Sequence, residues 1–213
     1  MRYWVFDLDG TLVDSFGHFF DSLKEIFSEN GKVFSDELRL ASLTESLPAF
    51  FEKHLGTEAA RPALEKLQRQ SNLDAAKIQP FAGTMPFIRA LKESGSKIAV
   101  WTSRENESAK LILEQTGLSE LAEIYVTGTC TVQRKPHLEG LLKIREHFKC
   151  ELDEITMVGD HEHDMMAAKN AGARAVRASW HSYWPVEKCT HADYQFYHVS
   201  DFQQWASSNN NPH

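Results

Sequence analysis

Residues 1–15 read MRYWVFDLDGTLVDS. The apolar run Tyr3–Phe6 ends in two carboxylates one residue apart, Asp7 and Asp9, and a glycine, Gly10, follows at once. A short apolar run closed by a turn signal predicts a strand buried on both faces. Residues two apart in extended chain point to one side. Asp7 and Asp9 are therefore expected to face one small space, subject to the turn at Gly10. Two carboxylates that close repel, and one tends to take up a proton. A hard divalent cation relieves this, and Mg²⁺ binds oxygen ligands while keeping waters and phosphate oxygens in its shell.

Further runs predict strands at 97–101, 123–126, 155–158 and 173–176. Helical patterns lie between them at 85–93, 108–116, 136–148 and 164–171. The third opens with Pro136 at a first-turn position, and the fourth is stopped by Gly172. Strands alternating with helices predict an α/β fold, a Rossmann-like parallel sheet flanked by helices on both faces. Ligands of such sheets bind beyond the carboxyl ends of the strands. Thr102 and Ser103 follow one strand there, and Gly159 and Asp160 follow another, with Asp164 four residues on. In a parallel sheet these groups converge on one rim with Asp7 and Asp9, where Asp160 completes an acidic cage.

Residues 15–80 break the strand–helix rhythm. Phe16, Phe19, Phe20, Leu23, Ile26 and Phe27 follow the spacing of an amphipathic helix that Gly31 ends. Residues 46–56 read as a second helix, with Pro48 near its start and Gly56 past its end, and 63–77 as a third. A connection this long is an inserted all-helical subdomain. The organisation expected is a catalytic core of residues 1–14 and 81–205, the helical insertion, and a disordered polar tail at 206–213. In the insertion, Lys53, His54, Arg61 and Arg69 could reach an anionic substrate, although each reads more simply as part of a solvated helix face.

Of the 213 residues 42% are hydrophobic, enough for a core, and the net charge is −7 with no basic run. That disfavours nucleic acid and anionic membranes as partners. No stretch approaches the ~20 apolar residues of a membrane span. The carboxylates at 7 and 9 interrupt the first apolar run too early for a secretion signal. Cys130, Cys150 and Cys189 form no CxxC and read as reduced thiols. A cytoplasmic protein, monomeric or a small homo-oligomer, is expected.

DLDGTLVDS at 7–15, VWTS at 100–103, RKPH at 134–137 and VGDHEHD at 158–164 occur in the order of the four motifs of the haloacid dehalogenase superfamily, which the chain resembles. The insertion looks like the cap of its phosphoglycolate phosphatase and β-phosphoglucomutase subgroup. The resemblance implies a Mg²⁺-dependent phosphomonoesterase acting on a small phosphorylated metabolite through an aspartyl-phosphate. Asp7 would be the nucleophile and Asp9 the general acid and base. Asp7 and Asp160 would bind Mg²⁺ through side chains and Asp9 through its backbone carbonyl. Thr102, Ser103, Lys135 and Gly10 would contact substrate, and Asp164 would position Lys135 or a metal-bound water. Arg134 and Lys143 are rivals for the lysine role, but Pro136 after Lys135 fits the pattern. An aspartate at position 9 points to phosphate esters, because the dehalogenases and phosphonatases of the superfamily lack it. A phosphomutase with the same nucleophile is the alternative, and a catalytically silent binding protein a second.

His161 stands where the superfamily commonly has a small hydroxyl residue, so it is expected to line the phosphate pocket. With His163, Asp160 and Asp164 it could also suggest a zinc site. Trp180, His181, Tyr183 and Trp184 form a late aromatic loop whose first reading is packing.

Overall fold

The structure, a computed structural model, describes residues 2–183 and 189–209. Trp184 and the last four residues of the expected tail lie outside that range. The chain divides into two compact units, one of residues 1–14 and 79–213, the other of residues 15–78.

In chain order the elements are β1 (Tyr3–Phe6), β2 (Val13–Asp14), α1 (Phe16–Glu29), α2 (Asp36–Thr44), α3 (Leu47–Leu55), α4 (Thr57–Asp74) and β3 (Gln79–Pro80). There follow α5 (Thr84–Glu93), β4 (Lys97–Trp101), α6 (Asn106–Thr116), α7 (Leu118–Leu121), β5 (Ile124–Val126), α8 (Glu139–Phe148) and β6 (Ile155–Gly159). The chain closes with α9 (Glu162–Ala171), β7 (Arg174–Ala178), β8 (Tyr194–Phe196) and α10 (Val199–Asn209).

Six strands form one sheet in the order β5-β4-β1-β6-β7-β8. All its pairings are parallel. The chain starts at the centre, winds out one way through β4 and β5, then returns to lay β6, β7 and β8 on the other side. The crevice where the winding reverses lies between β1 and β6, and doubly wound sheets bind ligands at that point. Phe6 pairs with Val100 on one side and Val158 on the other, so the three strand ends stand level.

β1 is apolar throughout because both its faces are covered. Val5 packs with Ala99, Trp101 and Met157 against Leu141 and Ile144 of α8 and Met165 and Ala168 of α9. Trp4 and Phe6 point the other way, and both rings meet Phe202 of α10 edge-on. Phe202 also meets Phe87 of α5 at 5.1 Å between ring centres.

α10 corrects the expected tail. Phe202 and Ala206 lie on one face, 2% and 0% exposed, and carry the helix to Asn209. Their i, i+4 spacing drives that docking. β8 also went unread, being a three-residue edge strand. α8 begins at Glu139, so Pro136 precedes it and sits after a cis bond to Lys135.

The second unit is wholly helical, but with four helices. The unread α2 is capped by Ser35, whose Oγ accepts from the Leu38 amide at 3.4 Å, with Asp36 and Glu37 in its first turn. α4 starts at Thr57, six residues before the expected start, and runs on through Pro62, which removes one backbone donor without ending the helix. Phe20, Leu23, Ile26, Phe27, Phe50 and Phe51 form its core, as the phenylalanine spacing predicts for Phe20 and Phe27. Lys53 pairs with Glu45 and Arg61 with Glu65, both on exposed helix faces. The insertion ends at Ile78 and not at residue 80, because Gln79 and Pro80 pair antiparallel with Asp14 and Val13.

Candidate active site

The Asp7 amide donates to the Val158 carbonyl at 2.8 Å, which extends the β1–β6 ladder by one residue and carries the Asp7 side chain into the crevice. The chain then turns sharply. Leu8 O accepts from the amides of Leu12 and Val13, both at 3.0 Å, and Gly10 takes φ +75°, a left-handed conformation that a side chain disfavours.

Asp7 is 7% exposed, Asp160 3% and Asp164 2%. Each offers a carboxylate oxygen to a group whose members all lie within 4.8 Å of one another. Asp160 follows β6 directly, and Asp164 reaches back from the first turn of α9, where its Oδ2 accepts from the His161 amide at 3.1 Å. Gly159 makes that reach possible. A Cβ there would lie 2.4 Å from Asp164 Cγ and 2.5 Å from its Oδ2.

Lys135 is the cation of the cluster, its side chain 4% exposed. Its Nζ donates to Asp7 Oδ1 at 2.6 Å and to the Trp101 carbonyl at 2.7 Å, and stands 2.7 Å from Asp164 Oδ1. It also lies over the Trp101 ring, 4.9 Å from its centre. The rival cations are engaged elsewhere, Arg134 with Glu105 at 2.7 Å and Lys143 with Glu139 at 3.8 Å. Burial works against the Lys135 ammonium, but Asp164 and Asp7 outweigh it and hold its pKa above the ordinary lysine value. Asp7 moves the other way. Burial, then the Asp164, Asp160 and Asp9 carboxylates, push its pKa well up against the pull of Lys135.

Three buried carboxylates thus face one ammonium, a deficit of two positive charges among these four groups. A divalent cation with oxygen preference fits that donor set, which among the described residues holds carboxylates and no sulfur or imidazole.

Asp164 thus stands beside the expected side-chain ligands Asp7 and Asp160, and Asp9, expected to bind through its backbone carbonyl, is not among the grouped carboxylates. The Asp9 carboxylate is gripped by Arg104, with Nε 3.1 and 3.0 Å from its two oxygens and Nη2 2.5 Å from Oδ1. A two-toothed guanidinium clamp is the strong form of this pairing. For Arg104, burial is outweighed by Asp9, and its pKa stays above the ordinary value. Sequence reading missed Arg104; the one signal was a cation directly after Thr102 and Ser103.

Thr102 is 1% exposed and follows β4, its amide bound to the Val126 carbonyl at 2.9 Å. Its Oγ1 accepts from the Arg104 amide at 3.0 Å, and a hydroxyl that accepts keeps its own proton for donation. Ser103 is exposed beside it. His161 stands at the N-terminus of α9. It caps α9, Nδ1 accepting from the His163 amide at 3.0 Å. The two rings lie 4.4 Å apart, and among the described residues neither joins a group of metal-ligating side chains with the aspartates. Of the late aromatic loop, Trp180, His181 and Tyr183 are described, and Trp180 and His181 reach this rim. Trp180 Nε1 donates to the Thr11 carbonyl at 3.1 Å and His181 Nε2 lies 3.1 Å from Asp160 Oδ2. No spacing in the sequence links His181 to Asp160.

Residues 4–178 match the family described as Haloacid dehalogenase-like hydrolase. A phosphoglycolate phosphatase of Xanthomonas campestris pv. campestris is 31% identical over 185 residues, 84% of this chain and 83% of that protein. The pyrophosphatase PpaX of Halalkalibacterium halodurans is 29% identical over 180 residues, 81% and 80% of the two chains. Among solved structures, CbbY from Rhodobacter sphaeroides in complex with phosphate superposes with a TM-score of 0.78 at 19% identity, covering 92% of this chain and 94% of that one.

Proposed function

This chain belongs to the haloacid dehalogenase-like hydrolase family, and on that premise we propose that it is a Mg²⁺-dependent phosphatase that hydrolyses a small organic phosphate through an aspartyl-phosphate on Asp7. The observation that carries the proposal is the buried Asp7 carboxylate, in contact with Lys135 and grouped with Asp160 and Asp164 at the sheet's switch point. The phosphoglycolate phosphatase and pyrophosphatase relatives support the reaction class.

Asp7, Asp160 and Asp164 would hold the cation, directly or through water, and when bound it supplies positive charge that draws a phosphate dianion toward an acidic site. The rest falls to the chain's own side chains. An Asp7 oxygen attacks phosphorus, and the bond from phosphorus to the ester oxygen breaks. Lys135 neutralises charge on the transferring group, and Thr102 donates its hydroxyl proton to a phosphoryl oxygen. Asp9 gives a proton to the leaving oxygen and later takes one from the water that splits the aspartyl-phosphate. The Arg104 clamp favours ionised Asp9, so proton donation requires Asp9 to exchange that partner. Burial of Asp7 suits the role, because a carboxylate stripped of water is held for one reactant.

The test is a panel of phosphate esters, including a generic aryl phosphate, assayed for released phosphate with Mg²⁺ and with chelator. Wild type is expected to release phosphate only with the cation, and Asp7→Asn to fall to background. Release by Asp7→Asn equal to wild type overturns the proposal, and phosphoryl transfer to a sugar without phosphate release would show a mutase.

A further inference from the structure

Beyond the carboxylates themselves, we infer that His181 is a positioning residue that occupies one oxygen of Asp160 and so fixes how that carboxylate can bind a cation, favouring Mg²⁺ over Ca²⁺. The inference rests on the metal site proposed above.

The His181 ring is 2% exposed and the Asp160 side chain 4%. Nδ1 accepts the Tyr183 amide proton at 3.2 Å, so Nδ1 carries no hydrogen. The neutral ring then bears its hydrogen on Nε2, which donates to Asp160 Oδ2 at 3.1 Å. Phe81 stacks against the ring with planes 22° apart and centres 6.2 Å apart. The segment is tied down on both sides of the histidine, by Trp180 to the Thr11 carbonyl at 3.1 Å and by the Tyr183 hydroxyl to Asp14 Oδ1 at 3.0 Å. A ring held at both nitrogens and on one face, with Trp180 before it and Tyr183 two residues after it tied down, cannot turn to follow the carboxylate. The carboxylate must follow the ring.

Denticity is where this matters. Ca²⁺ takes six to eight oxygens at flexible distances and often draws both oxygens of one carboxylate. Mg²⁺ requires a near-ideal octahedron of single oxygens and keeps several waters. With His181 on Oδ2, two-toothed chelation by Asp160 would cost that hydrogen bond, while one-toothed binding through the other oxygen would not. Groups that orient a metal's ligands in this way alter affinity by about 10–100-fold when removed.

The experiment is calorimetric titration of the full chain with Mg²⁺ and, separately, with Ca²⁺. His181→Phe keeps the flat ring against Phe81 and removes the donor. Its ratio of Ca²⁺ to Mg²⁺ dissociation constants is expected to drop by about tenfold from wild type, and His181→Gln, which can donate from its amide, is expected to restore it. Equal loss of both affinities in a folded His181→Phe protein would show a packing role alone and overturn the inference. Nitrogen-15 shifts of His181 in the wild type provide a second check that needs no variant. They are expected to report hydrogen on Nε2, and hydrogen on Nδ1 would overturn the inference as well. Wild type that binds neither cation would refute the metal site itself, whereas wild type that binds Mg²⁺ with an unchanged ratio in His181→Phe would refute only the role of His181.

Discussion

Lys135 Nζ and Asp7 Oδ1 stand 2.6 Å apart in the crevice between β1 and β6, although 128 residues separate them in the chain. Breaking a buried pair by removing one partner leaves the other charge uncompensated, at a cost of about 3–5 kcal/mol. Lys135→Met is therefore expected to lower thermal stability and to reduce turnover by about 10²–10³, the usual loss for one charge-stabilising donor. Calorimetry and a phosphate-release assay check the two effects separately. The stability loss should shrink in Lys135→Met/Asp7→Asn, because one of the two carboxylates stranded by the loss of Lys135 is gone.

Gly159 is the position where a single methyl group should matter most. With its Cβ 2.4 Å from Asp164 Cγ, Gly159→Ala forces the Asp164 carboxylate or the end of β6 to move. Overpacking of this kind costs about 1–3 kcal/mol. Mg²⁺ affinity is expected to fall further than stability, since a ligand and its support are displaced together. Side-by-side unfolding and cation-binding curves would show it.

The pKa of Asp7 sets the pH behaviour of the metal-free protein. Burial and then the neighbouring carboxylates raise it in the folded state. Such a group contributes stability that is complete below the unfolded value, about 3.9, and is lost as pH rises through the folded value. In chelator, stability should therefore fall as pH rises from about 3.9 through the raised folded value of Asp7. Mg²⁺ should reverse the loss, by about 2.7 kcal/mol at a hundredfold excess over its dissociation constant, or roughly 5–10 °C for a chain of this size. Asp160→Asn should abolish most of that gain. Melting curves across pH with and without the cation test both statements.

Tyr183 gives a second, independent titration. Burial, then its hydrogen bond to Asp14, pushes the phenol up to about 12. Its contribution should be complete below the ordinary tyrosine value, about 10, and should disappear as pH rises through about 12. The ultraviolet difference spectrum between wild type and Tyr183→Phe should show one phenol ionising in that range, and a transition near the ordinary value would contradict the contact.

Much of the site could be read from the sequence because its chemistry sits where strands stop. Asp7, Thr102 and Asp160 each follow an apolar run directly, and a parallel sheet places those ends on one rim whatever the loops do. That Asp164 joins Asp7 and Asp160 could not be read that way, because it reaches back from the first turn of α9, where it accepts from the His161 amide. Arg104 and His181 act on residues 95 and 21 positions away. No local periodicity encodes such pairs. α10 was different. Phe202 and Ala206 mark its face four residues apart, but the expected tail took in only the polar stretch 206–213 and no helix was read before it.

The central claim is that Asp7 takes up the phosphoryl group before water does, and the stereochemistry at phosphorus tests it most directly. An aryl phosphorothioate made chiral with oxygen isotopes would be hydrolysed in water of the remaining isotope and the configuration of the thiophosphate determined. Two successive in-line displacements, first by Asp7 and then by water, predict retention. Inversion would mean that water attacks the ester in one step and would contradict the account.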